Sequence, residues 1–221
     1  MQKEFPLEKP FSKVRCKDIG TLILTQGTQP ALVVEADEEL FSELTAEIIG
    51  DSLVLGLDDD WISRIGKVFS SILNQTERQV VYHLTVAEVG QVSISGKVNL
   101  ACAAFAAETL VLKVSGLGKL DFSHLDCTSL EVIISGRGEF SAAGRADHQT
   151  IRISGSGEYR AADLTSQSAR IIISGQGNAA LRVSDSLDIT ISGVGQVNYL
   201  GRPKVRQVIS GVGSSKRLND E

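Results

Sequence analysis

Ile151-Arg152-Ile153-Ser154-Gly155-Ser156-Gly157-Glu158-Tyr159 decides the fold, because its parts recur along most of the chain. A Ser-Gly pair stands at 95, 115, 135, 154, 174, 192 and 210, at intervals of 18 to 20 residues. From the second copy onward the unit is Ser-Gly-x-Gly, as in Ser135-Gly136-Arg137-Gly138 and Ser192-Gly193-Val194-Gly195. The first copy carries Val98 in place of the second glycine. Self-similarity at a fixed short period is the signature of a repeat architecture.

Each copy is preceded by two apolar residues in alternation, such as Val132 and Ile134, Ile151 and Ile153, or Ile171 and Ile173. The fifth residue after the serine is Leu100, Leu120, Phe140, Tyr159, Ala179 or Val197, and the seventh is Cys102, Phe122, Ala142, Ala161, Leu181 or Tyr199. Period-2 positions of this kind share one face of a strand. The intervening column of Asn99, Lys119, Glu139, Glu158, Asn178 and Gln196 should therefore face water. One unit holds two or three short strands and cannot bury its apolar face alone, so successive units must stack in parallel about 4.8 Å apart. The expectation is an all-β fold: a parallel β-solenoid (β-helix) of about 18–20 residues per coil. Glycine at the corner would supply positive φ and close approach between coils, and the adjoining serine can bond turn backbone groups. A phosphate-cradling loop needs a helix directly after the glycines, and here the chain runs into a strand.

The remainder fits one continuous domain over 1–221. Residues 11–57 read as less regular N-terminal coils or a cap, with strands at Leu22–Gln26, Ala31–Ala36, Leu44–Ile48 and Leu53–Leu57. Residues 80–213 are the regular coils and 214–221 a polar tail. Between them, 58–79 break the pattern: Trp61, Ile62, Ile65, Val68, Phe69, Ile72 and Leu73 fall on one arc at helical spacing, predicting an inserted amphipathic helix near 61–74. Asp58 to Asp60 would cap it.

Lys and Arg number 22 against 27 Asp and Glu, a net charge of -5, which leaves no global positive field for nucleic acid. No apolar run is long enough to span a bilayer, and Met1 to Pro6 leads into no apolar signal stretch. Cys16, Cys102 and Cys127 lack Cys-x-x-Cys spacing and are odd in number; buried thiols are the expectation, with a Cys102 to Cys127 bridge the alternative. His83, His124 and His148 have no metal-site spacing, and the Asp58 to Asp60 run lacks the pattern of a calcium loop, so neither metal nor cofactor is expected. Asp126, Asp147, Asp163 and Asp185 occupy loosely corresponding late positions of successive units and form the one enzyme reading, a carboxylate column acting on polysaccharide. No Gly-x-Ser-x-Gly elbow is present. The leading expectation names no catalytic, cofactor or metal residue.

The Leu24-Thr25-Gln26-Gly27 turn, the strands Leu32 to Asp37 and Leu53 to Leu55, and the recurrent Ile-Ser-Gly-x-Gly units together resemble a bacterial family, the putative auto-transporter adhesin, head GIN domain family. The likeness covers about residues 11–213 apart from 58–79. It implies a β-helical protein exported to the periplasm or cell envelope, with an adhesin role toward a surface glycan or protein and no catalytic residues. Family members usually begin with a signal peptide, which this chain does not show. The third reading is an assembly or scaffold protein, a homo-oligomer formed through the 61–74 helix or the solenoid ends.

Overall fold

Alternating apolar residues and regularly spaced corner glycines wind the chain into stacked coils, described by a computed structural model for residues 1–58 and 80–219. In chain order the elements are β1 (Gln2–Phe5), β2 (Lys13–Cys16), β3 (Ile19–Gln26), β4 (Ala31–Glu35), α1 (Glu38–Phe41), β5 (Leu44–Ile49) and β6 (Ser52–Leu57). There follow β7 (Val81–Val86), β8 (Gln91–Ile94), β9 (Lys97–Cys102), β10 (Phe105–Val114), β11 (Leu117–Ile134), β12 (Arg137–Ile153) and β13 (Ser156–Ile173). The last are β14 (Gln176–Ile191), β15 (Val194–Leu200), β16 (Lys204–Ile209) and β17 (Val212–Arg217). All 17 strands belong to one hydrogen-bonded sheet that winds through about 6 turns, a β-solenoid. The helix expected over 61–74 lies outside the described residues.

The repeat sets the register. Leu117, Arg137, Ser156, Gln176, Val194 and Val212 are consecutive parallel partners, so each residue after a Ser-Gly corner sits on its counterpart in the next coil. The paired apolar residues before each corner point inward: Val132, Ile134, Ile151, Ile153, Ile171 and Ile173 are all buried. So are Leu120, Phe140 and Tyr159 after it, and the rings of Phe140 and Tyr159 stack 4.8 Å apart inside the coil. Tyr159 takes its hydroxyl into the core and satisfies it there by donating to Gln149 Oε1 at 2.6 Å, as a buried polar group requires.

The corner itself differs from the expectation of positive φ. Among the described glycines only Gly20, Gly50, Gly144 and Gly201 have it, and none of these belongs to a Ser-Gly pair. What excludes a side chain at the pair is close approach: a Cβ on Gly136 would lie 2.2 Å from the carbonyl oxygen of Gly116, and one on Gly155 2.0 Å from that of Gly136. The chains come so near because the backbone ladder continues through the corner. Ser154 and Gly155 N–H both donate to Ile134 O, at 2.9 and 3.2 Å. The serine hydroxyl adds a long bond to the same kind of carbonyl, as from Ser115 Oγ to Ile94 O at 3.3 Å. Asp18 occupies the equivalent corner of an earlier coil and is the one described non-glycine residue with positive φ, at 65°. Aspartate tolerates that region better than most residues, and here its carboxylate also accepts the Leu57 N–H at 2.9 Å.

Stack order departs from chain order at the N-terminal end. Strands β2 and β3 lie between β8 and β9 on one side and β6 and β7 on the other. The earliest coil is thus intercalated, and the chain returns to build the coil beyond it. That end is then finished by antiparallel strands: β4 on β7, β1 on β4, and β5 on β6. At the other end β16 and β17 are the last rungs. Their inward positions include Gln207 and Ser215, aligned with buried Ile189 and Val197, and the Ser215 hydroxyl bonds the Gln207 side chain.

Candidate binding groove

The second glycine of each Ser-Gly-x-Gly unit stands at an inward position, where other strand residues would send a side chain into the core. A Cβ on Gly138 would meet Ile134 Cγ2 at 3.1 Å and Val114 Cγ1 at 3.3 Å, and one on Gly157 would meet Ile153 Cγ2 at 3.0 Å. With no side chain there, the backbone settles directly on the isoleucines, and the outer surface above it is concave. The result is a shallow groove of about 580 Å³ running across successive coils. Its walls are the residues flanking the glycine: Lys97 and Arg137 on one side, and Asn99, Lys119, Glu139 and Glu158 on the other. These last four belong to the polar column expected to face water, and that column does point outward.

Charge in the groove is arranged, not scattered. The Arg160 guanidinium grips Glu158 with two parallel bonds, Nε to Oε1 at 2.9 Å and Nη2 to Oε2 at 2.8 Å. Its Nη1 reaches Glu139 Oε1 on the preceding coil at 2.6 Å, and Lys119 Nζ stands 3.6 Å from the same oxygen. The Glu158 hydrogen bond, followed by the nearby charges of Glu139 and Glu158, holds the Arg160 pKa above its ordinary value. Bidentate arginine pairing fixes geometry as well as charge. Both groove carboxylates are therefore held, whereas Lys97 and Arg137 form no ion pair or side-chain hydrogen bond among the described residues. Asn99 and Asn178 each accept a backbone N–H from the following coil, from Lys119 and Gln196 at 3.2 Å, which leaves their amide N–H groups directed to solvent partners.

The four aspartates proposed as a catalytic column do not share one register position. Asp126 aligns with Arg145, and Asp163 with Ala143, two positions earlier on the same strand β12. Asp147 is paired with Arg145 at 2.7 Å, and Asp185 accepts a bond from Ser184 Oγ at 2.5 Å. The three cysteines are free and buried, without the alternative bridge. Burial pushes the Cys16 thiol up to about 12 and those of Cys102 and Cys127 to about 11. His148 bonds Ser168 Oγ through Nδ1 at 2.9 Å, and His83 lies 3.4 Å from Glu35. No cluster of three metal-ligating side chains occurs among the described residues. No helix among them is long and apolar enough to cross a membrane.

A polar, partly cationic groove thus runs along the stack of parallel coils of this β-solenoid. Residues 10–203 match the family model described as putative auto-transporter adhesin, head GIN domain, and the chain belongs to that family. Crystal structures share the fold. A putative adhesin from Bacteroides fragilis superposes with a TM-score of 0.85 at 19% identity, covering 99% of this chain and 96% of the other. A putative lipid binding protein and a putative adhesin, both from Parabacteroides distasonis, give TM-scores of 0.75 and 0.70 at 18% and 16% identity, each over 99% of this chain and 96% of theirs. No curated protein matches the sequence.

Proposed function

We propose that the protein is a non-enzymatic binding module of the bacterial envelope, exported from the cytoplasm, and that it holds an extended glycan bearing an acidic substituent in the groove above the second-glycine column. The observation behind this reading is the division of labour in the groove. Glu139 and Glu158 are neutralised and immobilised by Arg160 and Lys119, while Arg137 and Lys97 keep their charges available. The amides of Asn99 and Asn178 provide the neutral donors that sugar hydroxyls accept. A groove without a deep end suits a polymer that enters and leaves along the surface. Family membership supports the surface role.

Co-sedimentation with insoluble polysaccharides, followed by titration with soluble acidic and neutral oligosaccharides, tests it. Binding of acidic glycans is expected to fall about tenfold in Arg137→Ala, the equivalent of about 1.4 kcal/mol for one charge-assisted contact. No reducing sugar should be released. Equal binding by Arg137→Ala would remove the groove from the account.

A further inference from the structure

The sheet leading into the Ser-Gly corners has an outward column that runs the length of the solenoid. Register partners place Arg15, Ser93, Lys113, Ile133, Arg152 and Ile172 on consecutive rungs of it. Cations thus occur on every second rung, at the first, third and fifth of these positions. With parallel rungs about 4.8 Å apart, the spacing between charges is about 9.6 Å and the row spans about 19 Å. The rungs between them carry a small hydroxyl and an isoleucine; beyond Ile172 the column continues as Thr190 and Val208, and before Arg15 it passes through Val54 to Glu47 at the N-terminal end.

Arg15 and Lys113 form no ion pair or side-chain hydrogen bond among the described residues, and Arg15 is exposed. Arg152 lies 3.5 Å from Glu131 of the neighbouring outward column, with its side chain 48% exposed. An ion pair that open to solvent contributes little and leaves the guanidinium able to accept a second anion. The other acid of that neighbouring column, Asp188, is held by Arg170 at 3.6 Å. A chain with a net charge of -5 therefore presents, on one flat face, a positive row with a regular period.

We infer that this row of Arg15, Lys113 and Arg152 is a second binding surface, for a linear polysaccharide carrying one carboxylate or sulfate per disaccharide. The period selects the ligand. A step of two rungs is close to the length of one disaccharide in an extended polysaccharide chain, so successive acidic groups of such a polymer meet successive cations. A polymer with an acid on every sugar would place alternate charges over Ser93 and Ile133. The intervening isoleucine offers an apolar contact to a sugar ring, and the row lacks the aromatic side chains on which nucleic-acid bases stack. The inference rests on strand register and not on the groove, which is lined by residues that follow the Ser-Gly corner and not by those that lead into it.

Hyaluronan oligosaccharides, with one carboxylate per disaccharide, are the probe; polygalacturonate, dextran and a single-stranded DNA oligomer are the comparisons. Affinity is measured at several salt concentrations on the full chain. Hyaluronan is expected to bind more tightly than polygalacturonate or DNA, and dextran not at all. Lys113→Gln should weaken it about fivefold and lower the salt dependence, because one cation fewer then meets the polyanion. Lys113→Arg should retain binding, and Arg15→Gln should reproduce the loss. The losses in Lys113→Gln and Arg15→Gln should persist in an Arg137→Ala background, whereas a loss in Arg137→Ala alone belongs to the groove, so failure of the groove reading and of this one are told apart. Polygalacturonate or DNA binding as tightly as hyaluronan, or an unaltered salt slope in both Lys113→Gln and Arg15→Gln, would overturn it.

Discussion

The two glycines of the repeat unit have different physical roles, and substitution should separate them. At Gly136 an added Cβ meets the backbone carbonyl of the preceding coil at 2.2 Å, which only a shift of the whole rung relieves. At Gly138 it meets methyl groups of Ile134 and Val114 at 3.1 and 3.3 Å, which rotamer changes absorb. Gly136→Ala is therefore expected to cost roughly 3 kcal/mol or more and Gly138→Ala roughly 1–2 kcal/mol, in the range of overpacking. Denaturant midpoints of the two variants check this, and equal losses would contradict it. The spacing of these glycines is plain in the sequence, but their conformation is not. Positive φ was the natural expectation for a glycine at a corner, whereas the requirement comes from a neighbour 20 residues away. Asp18 shows the limit of reading by residue type, since the corner with positive φ is the one that lacks glycine.

At the level of the strand, alternation predicts which side chains are buried because a single residue's shift would turn the whole apolar set to solvent. Ile151, Ile153, Phe140 and Tyr159 are inward as their positions require. The order of the rungs is less legible. Nothing in Leu22 to Gln26 announces that β3 pairs with β9 on one side and β7 on the other, because pairing across about 60 to 80 residues leaves no local pattern. The repeat already aligns the groove residues Lys119, Glu139 and Glu158, but the cationic row is hidden at its first position, since Arg15 joins Ser93 and Lys113 only through the long-range pairing of β2 with β8. The three thiols offer a test at this scale. They titrate at about 11 to 12 inside the strands rather than near 9, so the folded state retains protons that the unfolded chain releases. Their contribution to stability is full below pH 9 and is lost as the pH rises toward 11 to 12. Native protein at pH 8 should react slowly with a thiol reagent, releasing three equivalents only on unfolding. Rapid reaction of Cys16 in the native state would place it outside the core.

The whole molecule is asymmetric along its axis. Antiparallel strands finish the N-terminal end, whereas among the described residues β16 and β17 have a neighbouring coil on one side only. Val205 and Ile209 of β16 are at inward positions yet 39% and 36% exposed, while their partners Leu187 and Ile191 are buried. Stability in a stack of this kind is close to a sum of nearest-neighbour terms, so the last rung, with one neighbour, opens at lower cost. Amide hydrogen exchange should be slowest in β11 to β13 and faster by orders of magnitude in β16 and β17; uniform protection along the axis would show that the end is covered in solution. The same one-dimensional order gives the protein its long, regular surfaces. The most direct measurement is an equilibrium titration of the protein and its Arg137→Ala variant with an acidic oligosaccharide, assaying each mixture for released sugar. Binding that Arg137→Ala weakens about tenfold, with no release, is the predicted result; sugar release that Asp147→Ala abolishes would contradict a binding module and make the protein an enzyme.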